Sequence, residues 1–244
     1  MRKLEGIIKN LDIINENEII LFCFPYAGGG ASVFYNWSKK LKEYDISVCP
    51  IQLPGREDKI LESPYTNLNI LVRDLVKLIR PFMKNKVMFF GHSMGAKIAF
   101  EVGRQLEKEH FELSHLIVSG SRVPHIPEPY PIYHLPDKEF KHELKRFGGI
   151  SNELLVNEKL FNFFLPVLRA DFTMSDTYHT YDKVQLTCPV LSFGGDMDSD
   201  ANQDEIFKWS EYTVNDFKYR KFSGDHFFIR TNEDELLEEI RNIV

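Results

Sequence analysis

Cysteine is scarce: Cys23, Cys49 and Cys188 are the only three in 244 residues. Their odd number, their places in or beside apolar runs, and the lack of metal-ligand spacing exclude a disulfide scaffold and a zinc module. They read as buried, reduced thiols, which fits a cytoplasmic protein. An excess of positive charge is also missing. The net charge is −6, whereas a general nucleic-acid binder needs a basic field. No apolar run reaches membrane-spanning length, and the N-terminus has no apolar signal region, so no membrane contact is expected. Internal repeats, low-complexity tracts and H-E-x-x-H or paired His/Cys metal spacings are absent, and no cofactor or metal is implied. What is present is ordinary for a globular chain: 43% hydrophobic and 27% charged residues, with length for one large α/β domain, expected to be a monomer.

Apolar runs and helical periodicities alternate along the chain. Glu18–Phe24 is continuously apolar after its first residue, as a strand buried on both faces should be. A lead-in or edge strand is expected around Gly6–Lys9. Ile46–Ile51, Lys86–Phe90, His115–Ser119, Pro189–Phe193 and Asp216–Phe222 read as further strands. Between them, Phe34, Trp37 and Leu41 mark a helix with Ser32 as its possible cap. Leu68 to Ile79 mark a second, stopped by Pro81, and Ala96–Leu106 a third. Gln203–Tyr212 reads as another, and a last helix starts near Asn232 with Glu235 completing a capping box. Strands alternating with helices at this pitch predict a mainly parallel central sheet flanked by helices.

The rhythm breaks at residue 121. Five prolines from Pro124 to Pro136 punctuate a loop, and an aromatic-rich helical stretch follows to about residue 181. Residues 1–244 are therefore expected to form one domain, interrupted over about 121–181 by a helical lid above the sheet's C-terminal edge. The aromatics, among them Phe140, Phe147, Phe161 and Phe172, fit either the insertion's own core or an acyl channel.

The chemistry centres on Gly91-His92-Ser93-Met94-Gly95, between an expected strand and an expected helix. This is G-x-S-x-G, the nucleophile elbow of the α/β-hydrolase fold, which lifts a serine clear of the sheet in a strained turn. A Cβ at Gly91 or Gly95 would crowd so tight a bend. The serine hydroxyl needs a base, and the base an orienting acid, in the chain order Ser, acid, His. After residue 198 the sequence has one histidine, His226, just beyond the last strand. His92 points away from Ser93 in such an elbow and reads as a support for the turn. Strand 115–119 runs into Gly120-Ser121-Arg122 without a carboxylate. Strand 189–193 runs into Gly194-Gly195-Asp196-Met197-Asp198-Ser199-Asp200, where three aspartates compete. Asp198 is favoured, because G-x-x-D from Gly195 is the usual hydrolase spacing, with Asp196 the runner-up. For the oxyanion, Met94 N–H offers one donor and Ala27 N–H, in the loop Pro25-Tyr26-Ala27-Gly28-Gly29-Gly30, the other. That loop is no dinucleotide fingerprint, since Val33 stands at the third glycine of G-x-G-x-x-G; Gly91–Lys97 is one residue short of a phosphate loop.

These residues make the chain resemble the type II thioesterases of nonribosomal peptide and polyketide synthetases. The likeness runs from Leu21-Phe22-Cys23-Phe24-Pro25-Tyr26-Ala27-Gly28-Gly29 through Leu53-Pro54-Gly55-Arg56-Glu57, the elbow, Gly148-Gly149 and Phe163-Phe164-Leu165-Pro166, to Gly194-Gly195-Asp196-Met197-Asp198 and Gly224-Asp225-His226-Phe227-Phe228. Asp225 departs from the pattern, in which a second glycine is common. The resemblance implies a triad of Ser93, Asp198 and His226, with Ala27 and Met94 as oxyanion donors. It implies hydrolysis of acyl or aminoacyl groups from the phosphopantetheine thiol of carrier domains, as used in antibiotic biosynthesis. The alternatives are a fatty-acyl thioesterase, a carboxylesterase on small acyl substrates, or a non-catalytic acyl-binding relative. Lys138, Lys141, Lys145 and Arg146 could meet an acidic carrier, but Asp137, Glu139 and Glu143 interleave with them, and a solvated helix face is the plainer reading.

Overall fold

The computed structural model describes residues 4–14, 19–150 and 152–244, with the side chains of Arg146 and Asn152 left aside. Glu18, the expected start of the first strand, and the Arg146 side chain fall outside this description. Six strands form one sheet: β1 (Ile19–Phe24), β2 (Ile46–Pro50), β3 (Val87–His92), β4 (His115–Ser119), β5 (Val190–Gly195) and β6 (Phe217–Phe222). Their order is β2-β1-β3-β4-β5-β6, and every neighbouring pair is parallel. The expected strand at Gly6–Lys9 is only an antiparallel bridge between Ile8 and Ile51.

Side chains alternate across the sheet with period two. Ile20, Phe22 and Phe24 of β1 join one core with Phe89 and Leu116, under α2 (Leu68–Ile79) and α3 (Met94–Lys108). Ile19, Leu21 and Cys23 join the other with Phe90 and Ile117, under α1 (Tyr35–Leu41) and the C-terminal helix described below. The central strands are buried on both faces, which is why they read as continuous apolar runs. At the edge, β6 alternates Phe217-Lys218-Tyr219-Arg220-Lys221-Phe222, and its charges blunt an otherwise pairable strand. All three cysteines are free and buried. Among the described residues, no helix is long and apolar enough to cross a membrane.

Between β4 and β5 lie α4 (Asp137–Phe147), α5 (Asn152–Val156) and α6 (Glu158–Thr177). They have a core of their own, with Phe140, Leu144, Phe161 and Leu168. After β5 come α7 (Gln203–Phe207), a 3-10 turn at Lys208–Tyr212, and, beyond β6, α8 (Phe228–Thr231) and α9 (Glu233–Arg241).

Three local expectations are corrected. Ser32 caps nothing: it lies inside a 3-10 turn, Ala31–Phe34, and its hydroxyl donates to Glu57 Oε1 at 2.6 Å. The capping box expected at Asn232 and Glu235 does not form. There Asn232 Nδ2 is drawn away to the Ser223 and Phe228 carbonyls, because α8 ends directly against α9. A capping box forms instead at Asn202 and Glu205, opening α7, and the helix expected over Gln203–Tyr212 tightens to 3-10 after Phe207.

Candidate active site

In an open parallel sheet, ligands bind beyond the C-terminal ends of the strands where the strand order reverses. Here that point lies between β1 and β3, and it brings together the loop after β1, holding Ala27, and the turn after β3, holding Ser93. The Ser93 backbone is strained, with φ 54° and ψ −119°, and its N–H donates to the Ser119 carbonyl at 2.8 Å. Both elbow glycines are obligatory. A Cβ on Gly91 would fall on the Gly95 carbonyl, and one on Gly95 on the carbonyl of Phe24. Ser93 stands at the N-terminus of the 15-residue α3, where outward N–H groups favour negative charge. Met94 is the first residue of that helix.

His226 lies in the loop after β6. Its Nδ1 donates to Asp198 Oδ2 at 2.9 Å, while Asp198 Oδ1 accepts from the Asp200 and Ala201 N–H groups at 2.8 and 3.2 Å. The runner-up, Asp196, is exposed and does something else: its Oδ1 accepts from Gly224 N–H at 2.8 Å, tying the β5 loop to the β6 loop. Gly195 lets these loops meet, since a Cβ there would strike the Gly224 and Asp225 carbonyls. Asp225 closes a turn on Phe227 N–H at 2.8 Å. His92 turns away from the serine, donating to or accepting from Ser119 Oγ at 2.8 Å, fully buried.

The electrostatics follow from these contacts. Burial alone would push the His226 imidazole down. The Asp198 hydrogen bond and charge, helped by Asp200 and Asp225, outweigh it and hold the pKa above the ordinary value. For Asp198, burial works upward, but His226 and the two backbone N–H groups win and keep it low, so it is a carboxylate. Burial, with the His226 charge beside it, holds His92 well below the usual range and therefore neutral. Asp198, Asp200 and His226 also offer atoms within 4.8 Å of one another, a spacing a cation could use. Both Asp198 oxygens are already committed to N–H donors, so hydrogen bonding accounts for this cluster without a metal.

Ser93, His226 and Ala27 line one cleft of about 700 Å³, part of it open to solvent. Phe147, Ile150, Phe172 and Phe227 form an apolar wall, so the insertion's aromatics serve both its core and the cleft. The other end is polar. Lys97 Nζ donates to the Ser175 carbonyl at 2.9 Å, Arg122 pairs with Glu128 at 2.8 Å and Glu205 at 3.1 Å, and Asp176 accepts from Ile132 and Tyr133 N–H. Burial pushes Asp176 up to about 6. None of these charged residues stands out in the sequence. Nor does Asp171, which forms a buried bidentate pair with Arg56; Arg56 at least sits in a quoted motif, but Asp171 is one residue in the middle of α6.

Lys141, in the α4 face considered for docking, lies with its Nζ 4.8 Å over the Phe161 ring, a packing role within the insertion.

Comparison with known proteins agrees with this architecture. A family model described as the thioesterase domain matches residues 19–244. The chain is 38% identical to the linear gramicidin dehydrogenase LgrE of Brevibacillus parabrevis, over 93% of this chain and 88% of that protein. It is also 38% identical to the gramicidin S biosynthesis protein GrsT of Aneurinibacillus migulanus, over 94% and 90%. The dehydrogenase in the first name finds no dinucleotide fingerprint here, where Val33 replaces the third glycine. Among solved structures, the type II thioesterase BorB from the borrelidin biosynthetic cluster superposes with a TM-score of 0.85 at 30% identity, covering 94% of each chain. Matched over nearly its whole length, this chain belongs to the thioesterase domain family and, within it, to the type II thioesterases.

Proposed function

We propose that this enzyme hydrolyses acyl or aminoacyl thioesters on the phosphopantetheine arm of carrier domains, clearing misprimed nonribosomal peptide or polyketide synthetases. The observation that carries the reading is the strained Ser93 sharing a cleft with His226, whose Nδ1 is held by the Asp198 carboxylate. Relatives named for gramicidin and borrelidin biosynthesis support the pathway class.

In this mechanism Ser93 Oγ attacks the thioester carbonyl carbon and its proton passes to His226 Nε2. The carbonyl π pair moves onto oxygen, and the Ala27 and Met94 N–H groups donate to the resulting oxyanion. When the oxyanion collapses, the C–S bond breaks and the pantetheine thiol leaves with the proton from His226. Water then attacks acyl-Ser93 while His226 takes one of its protons. The second collapse releases the carboxylic acid and returns that proton to Ser93 Oγ. Asp198 keeps the imidazole in the tautomer this shuttle needs and stabilises the imidazolium. Residues of about 121–181 act as a lid inserted into a single domain, and the enzyme works as a cytoplasmic monomer.

The charged end of the cleft, with the half-buried Lys97, Arg122, Glu128 and Asp176, favours short or polar acyl groups over a long alkyl chain, which would displace water from these groups and return no hydrogen bond. The test is a comparison of kcat/KM on acyl-carrier domains, acyl-CoA and p-nitrophenyl esters. Preference for the carrier thioester supports the proposal; equal or faster ester hydrolysis would make this a carboxylesterase. Fluorophosphonate labelling of Ser93 separates either from a non-catalytic acyl binder.

A further inference from the structure

The loop that carries Ala27 is a four-residue turn, with Gly29 N–H donating to the Tyr26 carbonyl at 2.9 Å and Gly28 at φ +78°. Positive φ at the third position is what a type II turn requires. The peptide planes of an isolated surface turn reorient readily, because one hydrogen bond does not fix them. Here they are held from outside. Asp171 Oδ2 accepts from Gly28 N–H at 2.7 Å, and Arg56 Nη1 donates to the Gly29 carbonyl at 3.1 Å. Asp171 and Arg56 are joined by two bonds of 2.5 and 2.8 Å, and Arg56 Nη2 also reaches the Pro54 carbonyl at 3.3 Å. The pair is buried, Asp171 completely and Arg56 with 4% of its surface exposed.

A buried ion pair is a poor device for stability alone, since desolvation offsets most of the attraction. Its contacts point to another use. With Gly28 N–H committed to Asp171, Ala27 N–H is the neighbouring donor left for the cleft, and both peptides after it are pinned. The same helix packs directly on the loop: a Cβ on Gly28 would come within 2.9 Å of Leu168, and one on Gly55 within 2.9 Å of Val167. α6 therefore meets both loops directly, at Gly28 through Leu168 and Asp171 and at Gly55 through Val167.

We propose that Asp171 and Arg56 are positioning residues that set the Ala27 N–H for the oxyanion, linking the inserted helix to the turnover step. The inference rests on the serine-hydrolase reading above. Misplacing such a donor by a fraction of its bond length weakens the transition state more than the substrate complex.

The test uses the full chain in two variants. Arg56→Met/Asp171→Leu removes both charges together, the change a buried pair tolerates best. Asp171→Asn keeps the volume and an acceptor for Gly28. For the double variant, kcat per titrated active site should fall about 10–100-fold with KM within about twofold, and for Asp171→Asn by a smaller factor in the same pattern. Affinity for an acyl trifluoromethyl ketone, which forms the tetrahedral adduct, should fall in step with kcat, while affinity for an S-alkyl pantetheine ether stays level. A purely structural role would lower Tm and the active fraction but leave these ratios unchanged, and that result overturns the proposal. In the unmodified protein, Gly28 N–H should resist deuterium exchange although the residue is exposed; rapid exchange would contradict the pinned turn even if neither variant folded. Failure of the underlying reading looks different, because the unmodified enzyme would then form no ketone adduct at all.

Discussion

The Asp198 carboxylate holds His226 through one oxygen and is itself held through the other. Oδ2 accepts from His226 Nδ1 at 2.9 Å, and Oδ1 from two backbone N–H groups of the following turn. The acid cannot rotate without breaking three bonds, so the imidazole is fixed in both tautomer and plane.

This pair predicts a pH profile. In the proposed mechanism His226 must be neutral to accept the serine proton, and its pKa is held above the ordinary 6.5. The acid limb of kcat/KM should therefore lie above that value. In Asp198→Asn, burial remains while the Asp198 charge, the main raising influence, is lost and only the Asp200 and Asp225 charges still raise it, so the limb should move to lower pH as the plateau falls by about 10⁴. A limb that stays in place would show that another group titrates.

The elbow gives a stability prediction with an internal control. Gly95→Ala would drive a Cβ into the Phe24 carbonyl, backbone that cannot move aside. It should cost at least about 3 kcal/mol, the upper range for overpacking. At Gly148, with φ +74°, an added Cβ would meet nothing within 4 Å, so Gly148→Ala should cost only about 1 kcal/mol of conformational strain. Urea melts of both variants would compare them, and equal costs would contradict the steric account.

Much of this was legible because it is local. Continuous apolar runs announced the central strands, and two glycines around Ser93 announced the turn, since both signals arise within a few residues. In the sequence Asp198 and Asp196 differ only by spacing; in the structure Asp198 bonds to His226, whereas Asp196 accepts from Gly224 N–H. The Arg56–Asp171 pair was not legible at all. Its partners lie 115 residues apart, and an aspartate in mid-helix carries no sign of which loop it will meet. The same holds for Ser32, which local preference makes a cap but which Glu57, 25 residues away, claims as a donor.

Asp176 should report its burial through stability. Its pKa is raised from 3.8 to about 6, so the folded protein keeps a proton that the unfolded chain releases. Stability should fall as pH rises from 4 to 6, and the penalty should persist above that. Asp176→Asn, which keeps an acceptor for Ile132 and Tyr133 N–H, should gain about 2 kcal/mol over the parent at pH 7 and nothing at pH 4. Denaturant melts at the two pH values measure this; a gain that does not depend on pH would point to packing instead.

Phe172 belongs to both the insertion's core and the cleft wall, with its ring 5.6 Å from those of Phe140 and Phe147. Phe172→Ala should cost about 1–3 kcal/mol, less than a fully buried ring. It should also raise relative kcat/KM for bulkier acyl groups. An unchanged acyl profile would remove Phe172 from the substrate's path.

The central claim is an acyl-Ser93 intermediate. Rapid mixing of the enzyme with an acylated carrier domain, followed by quenching and intact-protein mass spectrometry, tests it most directly. The account predicts a transient enzyme mass increased by the acyl group, mapping to Ser93, alongside free carrier thiol. It predicts neither adduct nor turnover in Ser93→Ala, whose fold should be intact. Full turnover by Ser93→Ala, or an acyl group mapped elsewhere, would contradict it.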